Sequence, residues 1–192
     1  ILEDIGLMKM LPGMTVINTC DFNQTKAATI AIANHLGPVY LRFGRPKVPN
    51  FTDADQNFKI GKGVKLIDGN DVTIVATGHL VWEAIKCVEK LKEEGISADL
   101  INIHTIKPLD KEIILESLSK TNCIVSAEEH NIIGGLGESI SRLLVNRNLA
   151  PMEFVAVHDS FGESGTPKEL MKKYQLSSEN IYLKCKAAIS RK

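Results

Sequence analysis

The side chains most able to do chemistry gather in one stretch, Glu128-Glu129-His130-Asn131-Ile132-Ile133-Gly134-Gly135-Leu136-Gly137-Glu138. Adjacent carboxylates push their pKa values apart, and an imidazole titrates near neutrality. Glu128, Glu129 and His130 could therefore form a proton-transfer cluster. The plainer reading is a polar loop that hydrogen-bonds a neighbouring domain or subunit. It is favoured because no partner nucleophile and no metal-ligand spacing lies nearby. The glycines could turn backbone N–H groups toward an anion at a helix N-terminus. The pattern is neither Gly-x-Gly-x-x-Gly nor a phosphate loop with its Lys-Ser/Thr, so close packing of the turn against a helix is the better account.

Arg42-Phe43-Gly44-Arg45-Pro46 ends another strand-like run. Two guanidinium groups there suit a bidentate grip on a phosphate or carboxylate, and an inter-domain ion pair would use the same residues. His79, His104 and His158 each follow a strand-like run. Zinc would use such residues, but no pair has a local ligand spacing, so loop contacts at an interface fit better. Asp159-Ser160-Phe161-Gly162-Glu163-Ser164-Gly165-Thr166-Pro167 contains two serines without a nucleophile elbow. It reads as a structured loop in which Thr166 caps a helix that opens on Pro167.

The elements that must position these residues follow from hydrophobic spacing. Cys123 to Ala127 is a short β-branched run, predicted to end as a strand at Glu128. Leu136, Ile140, Leu143 and Leu144 then recur at helical spacing. Residues 1–45 predict an αβαβ piece: a helix to residue 10, a strand over 14–18, a helix over 23–35 capped by Asp21 or Asn23, and a strand from Val39. Two strands cannot complete a buried parallel sheet, so this piece needs partners. Residues 46–60, with Pro46, Pro49, Asn50, Asp53 and Asp55, have a linker composition. From 61 to 192 the pattern is a strand over 61–67, a hairpin-like turn at Asp68-Gly69-Asn70-Asp71, a strand over 71–77, a helix over 79–94 and a strand over 98–103. A helix from Pro108, the Glu128 strand and its helix, a strand over 151–157 and helices near 166–174 and 178–190 complete it. This alternation predicts a three-layer α/β/α domain with a mostly parallel sheet of about five strands and one antiparallel edge strand.

Composition bounds the remaining classes. The chain has 192 residues with 23 basic and 23 acidic side chains, a balance that leaves no electrostatic footprint for nucleic acid or an anionic membrane. No apolar run approaches the roughly 20 residues that span a bilayer. The widely spaced Cys20, Cys87, Cys123 and Cys185 match no Cys-x-x-Cys pattern and read as reduced thiols of a cytoplasmic protein. The sequence opens Ile1-Leu2-Glu3-Asp4 inside a helical pattern, as the middle of a longer protein would.

Taken together, five stretches resemble the C-terminal part of transketolase, most closely the split form whose C-terminal half is a separate polypeptide. They are Glu3 to Met8 with Leu11 to Val16, Gly37 to Arg42 with Gly44-Arg45-Pro46, Ile103 to Asp110, Ala127 to His130 with Gly134 to Gly137, and Asp159 to Pro167. The Lys-Pro-Leu-Asp and Glu-Glu-His stretches are shared with 1-deoxyxylulose-5-phosphate synthase and more loosely with 2-oxo acid dehydrogenase beta subunits. The Phe-Gly-Glu-Ser-Gly-Thr stretch is similar to transketolase specifically.

The resemblance implies a transferase that moves a two-carbon ketol unit between sugar phosphates with thiamine diphosphate and Mg2+. It implies a cofactor at a dimer interface, with its diphosphate site, its activating glutamate and its ring-holding aromatics all upstream of Ile1. Residues 1–45 then correspond to the truncated tail of a pyrimidine-binding domain, 46–60 to a linker and 61–192 to the C-terminal domain. No catalytic, cofactor-binding or metal residue of the family falls in this chain. The family's substrate-phosphate arginine falls on Arg45, with Arg42 a weaker neighbour. The implied partners are the missing N-terminal region, a second copy in a homodimer, and sugar phosphates. On this reading the parent protein is catalytic, and this chain alone is a non-catalytic packing and dimerisation module.

Overall fold

The computed structural model describes residues 1–145 and 149–192. The chain opens with α1 (Asp4–Met10), β1 (Thr15–Asn18), α2 (Phe22–Ala33) and β2 (Val39–Arg42). β1 is buried along its whole length and pairs parallel with β2. Asp21, not Asn23, caps α2, its side chain accepting the backbone N–H of Gln24. The partner that two strands lack is supplied in part by the chain itself. β6 (Thr105–Lys107) pairs antiparallel with the free edge of β1, and the three-stranded order is β2-β1-β6. A three-residue strand is too short to show periodicity, so the sequence did not announce it.

The second sheet holds β3 (Val64–Ile67), β4 (Val72–Ala76), β5 (Ala98–Asn102), β7 (Ile124–Asn131) and β8 (Met152–Val157), in the order β3-β5-β4-β7-β8. β3 alone runs antiparallel, at the edge. α3 (Leu80–Glu93) and α7 (Ser178–Ile189) pack one apolar cluster against the sheet, through Leu80, Ala84, Leu91, Ile181 and Ala188. α4 (Lys111–Thr121) and α5 (Leu136–Val145) pack a second cluster with Val75 and Ile101, which point the other way from the strands. This is the expected three-layer α/β/α arrangement. α6 (Pro167–Lys173) begins at Thr166, which forms a capping box with Glu169.

Two expectations are corrected. β3 does not form a hairpin with β4. Parallel neighbours β5 and β7 already occupy both edges of β4, so β3 crosses to the far side of β5. The fully buried Val-Thr-Ile-Val-Ala run belongs in the sheet's middle, whereas β3, with Lys65, suits an edge. The strand before the Gly turn also does not stop at Glu128. β7 continues to Asn131, which pairs with Val157 after a register shift beyond Ala127. Glu128, Glu129 and His130 are therefore strand residues, with Glu128 and His130 buried.

Residues 46–60 contain neither helix nor strand, yet they are tied down. The Asp21 carboxylate accepts the N–H groups of Phe51 and Thr52 and the hydroxyl of Thr52. Phe51 stacks on Trp82 at 5.7 Å between ring centres, and Phe58 lies 4.1 Å from His104. All four cysteines are buried free thiols. No helix among the described residues is long and apolar enough to cross a membrane.

Candidate functional site

The turn at 128–138 closes onto α1. Glu128 is fully buried, and its two carboxylate oxygens accept the N–H groups of Leu136, at 2.7 Å, and Gly137, at 2.8 Å. It therefore caps α5 from the neighbouring strand and meets the positive end of that helix. Burial pushes its pKa up to about 7, against the pull of those two N–H groups, Lys9 and Arg42. A Cβ on Gly135 would stand 2.3 Å from the Glu128 carboxylate, so no other residue fits beside it. Gly134 has φ +76°, and its Cβ would stand 3.0 Å from the Gly6 backbone of α1. Strand, turn and helix are thus pressed together at glycine.

His130 completes the closure. Its Nε2 accepts the Gly6 N–H at 3.2 Å, and its Nδ1 therefore carries the proton and donates to the Asn131 carbonyl at 2.7 Å. Burial lowers its pKa, which keeps the ring neutral. Lys9 of α1 donates to the Gly134 and Gly135 carbonyls, both at 2.6 Å. These groups are all engaged in holding two parts of the chain together. Glu128 to His130 are strand residues rather than the expected polar loop, and the contacts seen are within the chain.

Arg42 belongs to the same seam. Its Nε meets Asp4 at 3.0 Å, and its Nη2 donates to the Glu129 carbonyl at 3.0 Å. Tyr40 donates to the same Asp4 oxygen at 2.7 Å. Asp4 was not singled out in the sequence. Only its place at the start of α1, buried beside an arginine far along the chain, gives it meaning.

Arg45 is placed differently. It is exposed and makes no hydrogen bond or ion pair among the described residues. It lines a cleft of about 1570 Å³ together with Lys47, His79, Trp82, Glu129 and the loop at Phe161 to Gly165. His79 packs so tightly on the strand end that a Cβ on Gly44 would overlap its ring at 1.9 Å. Its Nδ1 faces Glu129 at 3.4 Å. Burial works against ionisation of Glu129, but the hydrogen bond from His79 and the charge of Arg42 outweigh it and hold its pKa below the ordinary carboxylate range. The cleft floor is therefore a fixed anion beside a fixed imidazole, with a free guanidinium at the rim. Phe161, 93% exposed, stands on the loop that bounds it.

The other two histidines are elsewhere. His104 is buried against Phe58, and burial drops its pKa to about 4, while His158 is exposed. Among the described residues no group of three or more His, Cys, Asp or Glu could hold a metal ion. The donor set here does not fit a Mg2+ diphosphate site, and no chemical step through that group follows from this chain's residues.

Comparison with known proteins bears on what this scaffold is. The family described as the transketolase C-terminal domain matches residues 61–181. A putative transketolase C-terminal section of Methanocaldococcus jannaschii is 41% identical over 93% of the chain and 57% of its own length. The 6-deoxy-6-sulfo-D-fructose transketolase subunit of a Clostridium species is 40% identical over 94% of the chain and 56% of its own length. A solved split-gene transketolase, described as an inactive β4 tetramer, is 39% identical and superposes with a TM-score of 0.95, over 98% of this chain and 62% of that one. The chain thus spans a little over half the length of these curated relatives. With the family domain matched over most of the chain and such relatives along nearly all of it, the chain belongs to the transketolase C-terminal domain family.

Proposed function

We propose that this chain is the C-terminal portion of a split-type transketolase, whose whole form moves a two-carbon ketol unit between sugar phosphates. The carrying observation is the near-complete overlap with the solved split-gene relative. Thiamine diphosphate and Mg2+ belong to that whole form, held by the remainder of the enzyme. Alone, the chain serves packing and dimerisation. In support, the solved relative is described as both a tetramer of one chain and inactive. Residues 1–45 act as the tail of the pyrimidine-binding domain, 46–60 as a strap and 61–192 as the C-terminal domain, in a cytoplasmic enzyme.

Within this reading Arg45 binds the anionic end of the substrate. What supports it is an exposed guanidinium without a partner among the described residues, on a cleft where Glu129 and His79 hold each other. One relative's name specifies a sulfo-sugar and another's, from Phocaeicola vulgatus, a 4-phosphate, and a planar guanidinium fork accepts either anion. Arg42 acts through the frame: it is spent on Asp4 and Glu129 and orients the strand end that presents Arg45.

A second reading has a specific observation in its favour. A 1-deoxy-D-xylulose-5-phosphate synthase of Geobacter sulfurreducens is 34% identical over 87% of the chain, although the match spans only 27% of that protein. The more extensive subunit matches and the Phe161 to Thr166 stretch favour transketolase.

Two measurements test the proposal. Calorimetry of this chain alone against thiamine diphosphate and Mg2+ is expected to show no binding, and transketolase turnover is expected only after the complementary subunit is added. Micromolar cofactor affinity of the chain alone defeats this part. In the reconstituted enzyme, Arg45→Ala should raise KM for phosphorylated acceptors by roughly 10- to 150-fold, the worth of about 1.5–3 kcal/mol for a charged hydrogen bond. Unphosphorylated acceptors should change little. An equal effect on both acceptor types refutes the assignment.

A further inference from the structure

A second cleft, of about 990 Å³, opens along the seam between α1 and the C-terminal lobe and shares no lining residue with the Arg45 cleft. Its charged lining is lopsided. Lys9, Lys107, Lys111 and Arg142 face it with a single carboxylate, Glu138, in a chain of zero formal net charge.

Two of these cations are fixed by main-chain carbonyls. Lys9 Nζ donates to Gly134 and Gly135, both at 2.6 Å, and Lys107 Nζ donates to Lys9 at 2.9 Å and Leu11 at 2.6 Å. An ammonium has three N–H donors, so each keeps one unspent. Lys9, Lys107 and Lys111 make no ion pair among the described residues. Burial lowers the pKa of Lys9, Glu128 and Glu138 pull it back up, and the smaller repulsion from Arg142 and Lys107 adds to the lowering. Lys9 and Lys107 are therefore held by main-chain carbonyls, and both bring their charge to one cleft.

The rest of the wall is apolar. Met10, 79% exposed, faces the cleft with Leu109 and Leu143. A cleft of this volume lies at the upper end of the roughly 300–1,000 Å³ typical of small-molecule sites. Lys9, Lys107 and Lys111 alone outnumber Glu138 by two charges, an excess that a monocarboxylate would half meet and that a phosphoryl group, with about two charges, matches. A polyanionic macromolecule would need a broad basic surface, which a chain of balanced charge does not offer.

We propose that this cleft is a binding site for an organic phosphate, with its phosphoryl group among Lys9, Lys107, Lys111 and Arg142 and its flat or apolar body on Met10, Leu109 and Leu143. Lys9 belongs to α1 and Arg142 to α5, so the ligand bridges the seam and ties the first segment to the C-terminal lobe. The proposal rests on this cleft alone and not on the transketolase reading.

Calorimetry of the 192-residue chain with ADP, inorganic phosphate and adenosine tests it. ADP is expected to bind with a sub-millimolar Kd that weakens as salt rises, inorganic phosphate at least about tenfold more weakly, and adenosine not measurably. Lys111→Gln combined with Arg142→Gln, both at exposed positions, should weaken ADP by at least about tenfold in a protein that still melts cooperatively. Arg45→Ala, in the other cleft, should leave ADP binding within about twofold. The proposal is overturned by an absence of heat at about 10 mM ADP, where a Kd of that order would register. Equal affinity for inorganic phosphate also overturns it, as does loss of binding in Arg45→Ala with none in the double variant.

Discussion

At Glu128, burial and hydrogen bonding pull in opposite directions. The carboxylate receives two N–H groups at the start of α5, yet burial dominates and its pKa rises to about 7 from the ordinary 4.5. Between those two values the folded protein holds a proton that the unfolded chain releases. Stability must therefore fall as pH rises through that window and level off above about 7, by roughly 3 kcal/mol in all. Glu128→Gln removes the titrating group. Denaturant unfolding of wild type and variant at acidic and mildly alkaline pH should show the wild type gaining relative to the variant as pH falls. A pH-independent difference would mean that the carboxyl titrates in its usual range. Arg42 and Arg45 mark the limit of sequence at this scale. Arg42 ends β2 and Arg45 follows three residues on, and only the burial of Asp4 beside Arg42 separates a structural guanidinium from an exposed one.

Among the elements, the βα alternation was legible because each helix and central strand carries several apolar residues at its own period. α3, for example, repeats Val81, Ala84, Val88 and Leu91 on its buried face. What stayed hidden was pairing. β3 and β4 are joined by a turn with hairpin chemistry, yet local turn preference yields to the competition for the edges of β4. The composition of 46–60 also gave no sign of its anchor, the Asp21 carboxylate that caps α2. Asp21→Ala should cost about 2–4 kcal/mol, combining a lost cap with lost charge-assisted bonds to Phe51 and Thr52. It should also expose the strap to limited proteolysis. Asp21→Asn, which keeps an acceptor, should recover part of the stability. If Asp21→Ala unfolds like wild type and its strap resists protease, the anchoring account fails.

Across the whole molecule, β1 sits between β2, which follows it closely, and β6, which the chain reaches only after three strands of the other sheet. Synthesis on the ribosome delivers these neighbours at very different times. When residues 1–45 emerge, β1 can pair with β2, but its opposite edge stays bare until Thr105 to Lys107 appear. A bare strand edge is a template for pairing with another chain. The helix α1 that shields this region is itself fastened through Gly6 and Lys9 to a turn made later still. Residues that precede the second sheet in the chain are therefore among the last to settle, and the bare edge of β1 has to be guarded while everything between Arg42 and Thr105 is made.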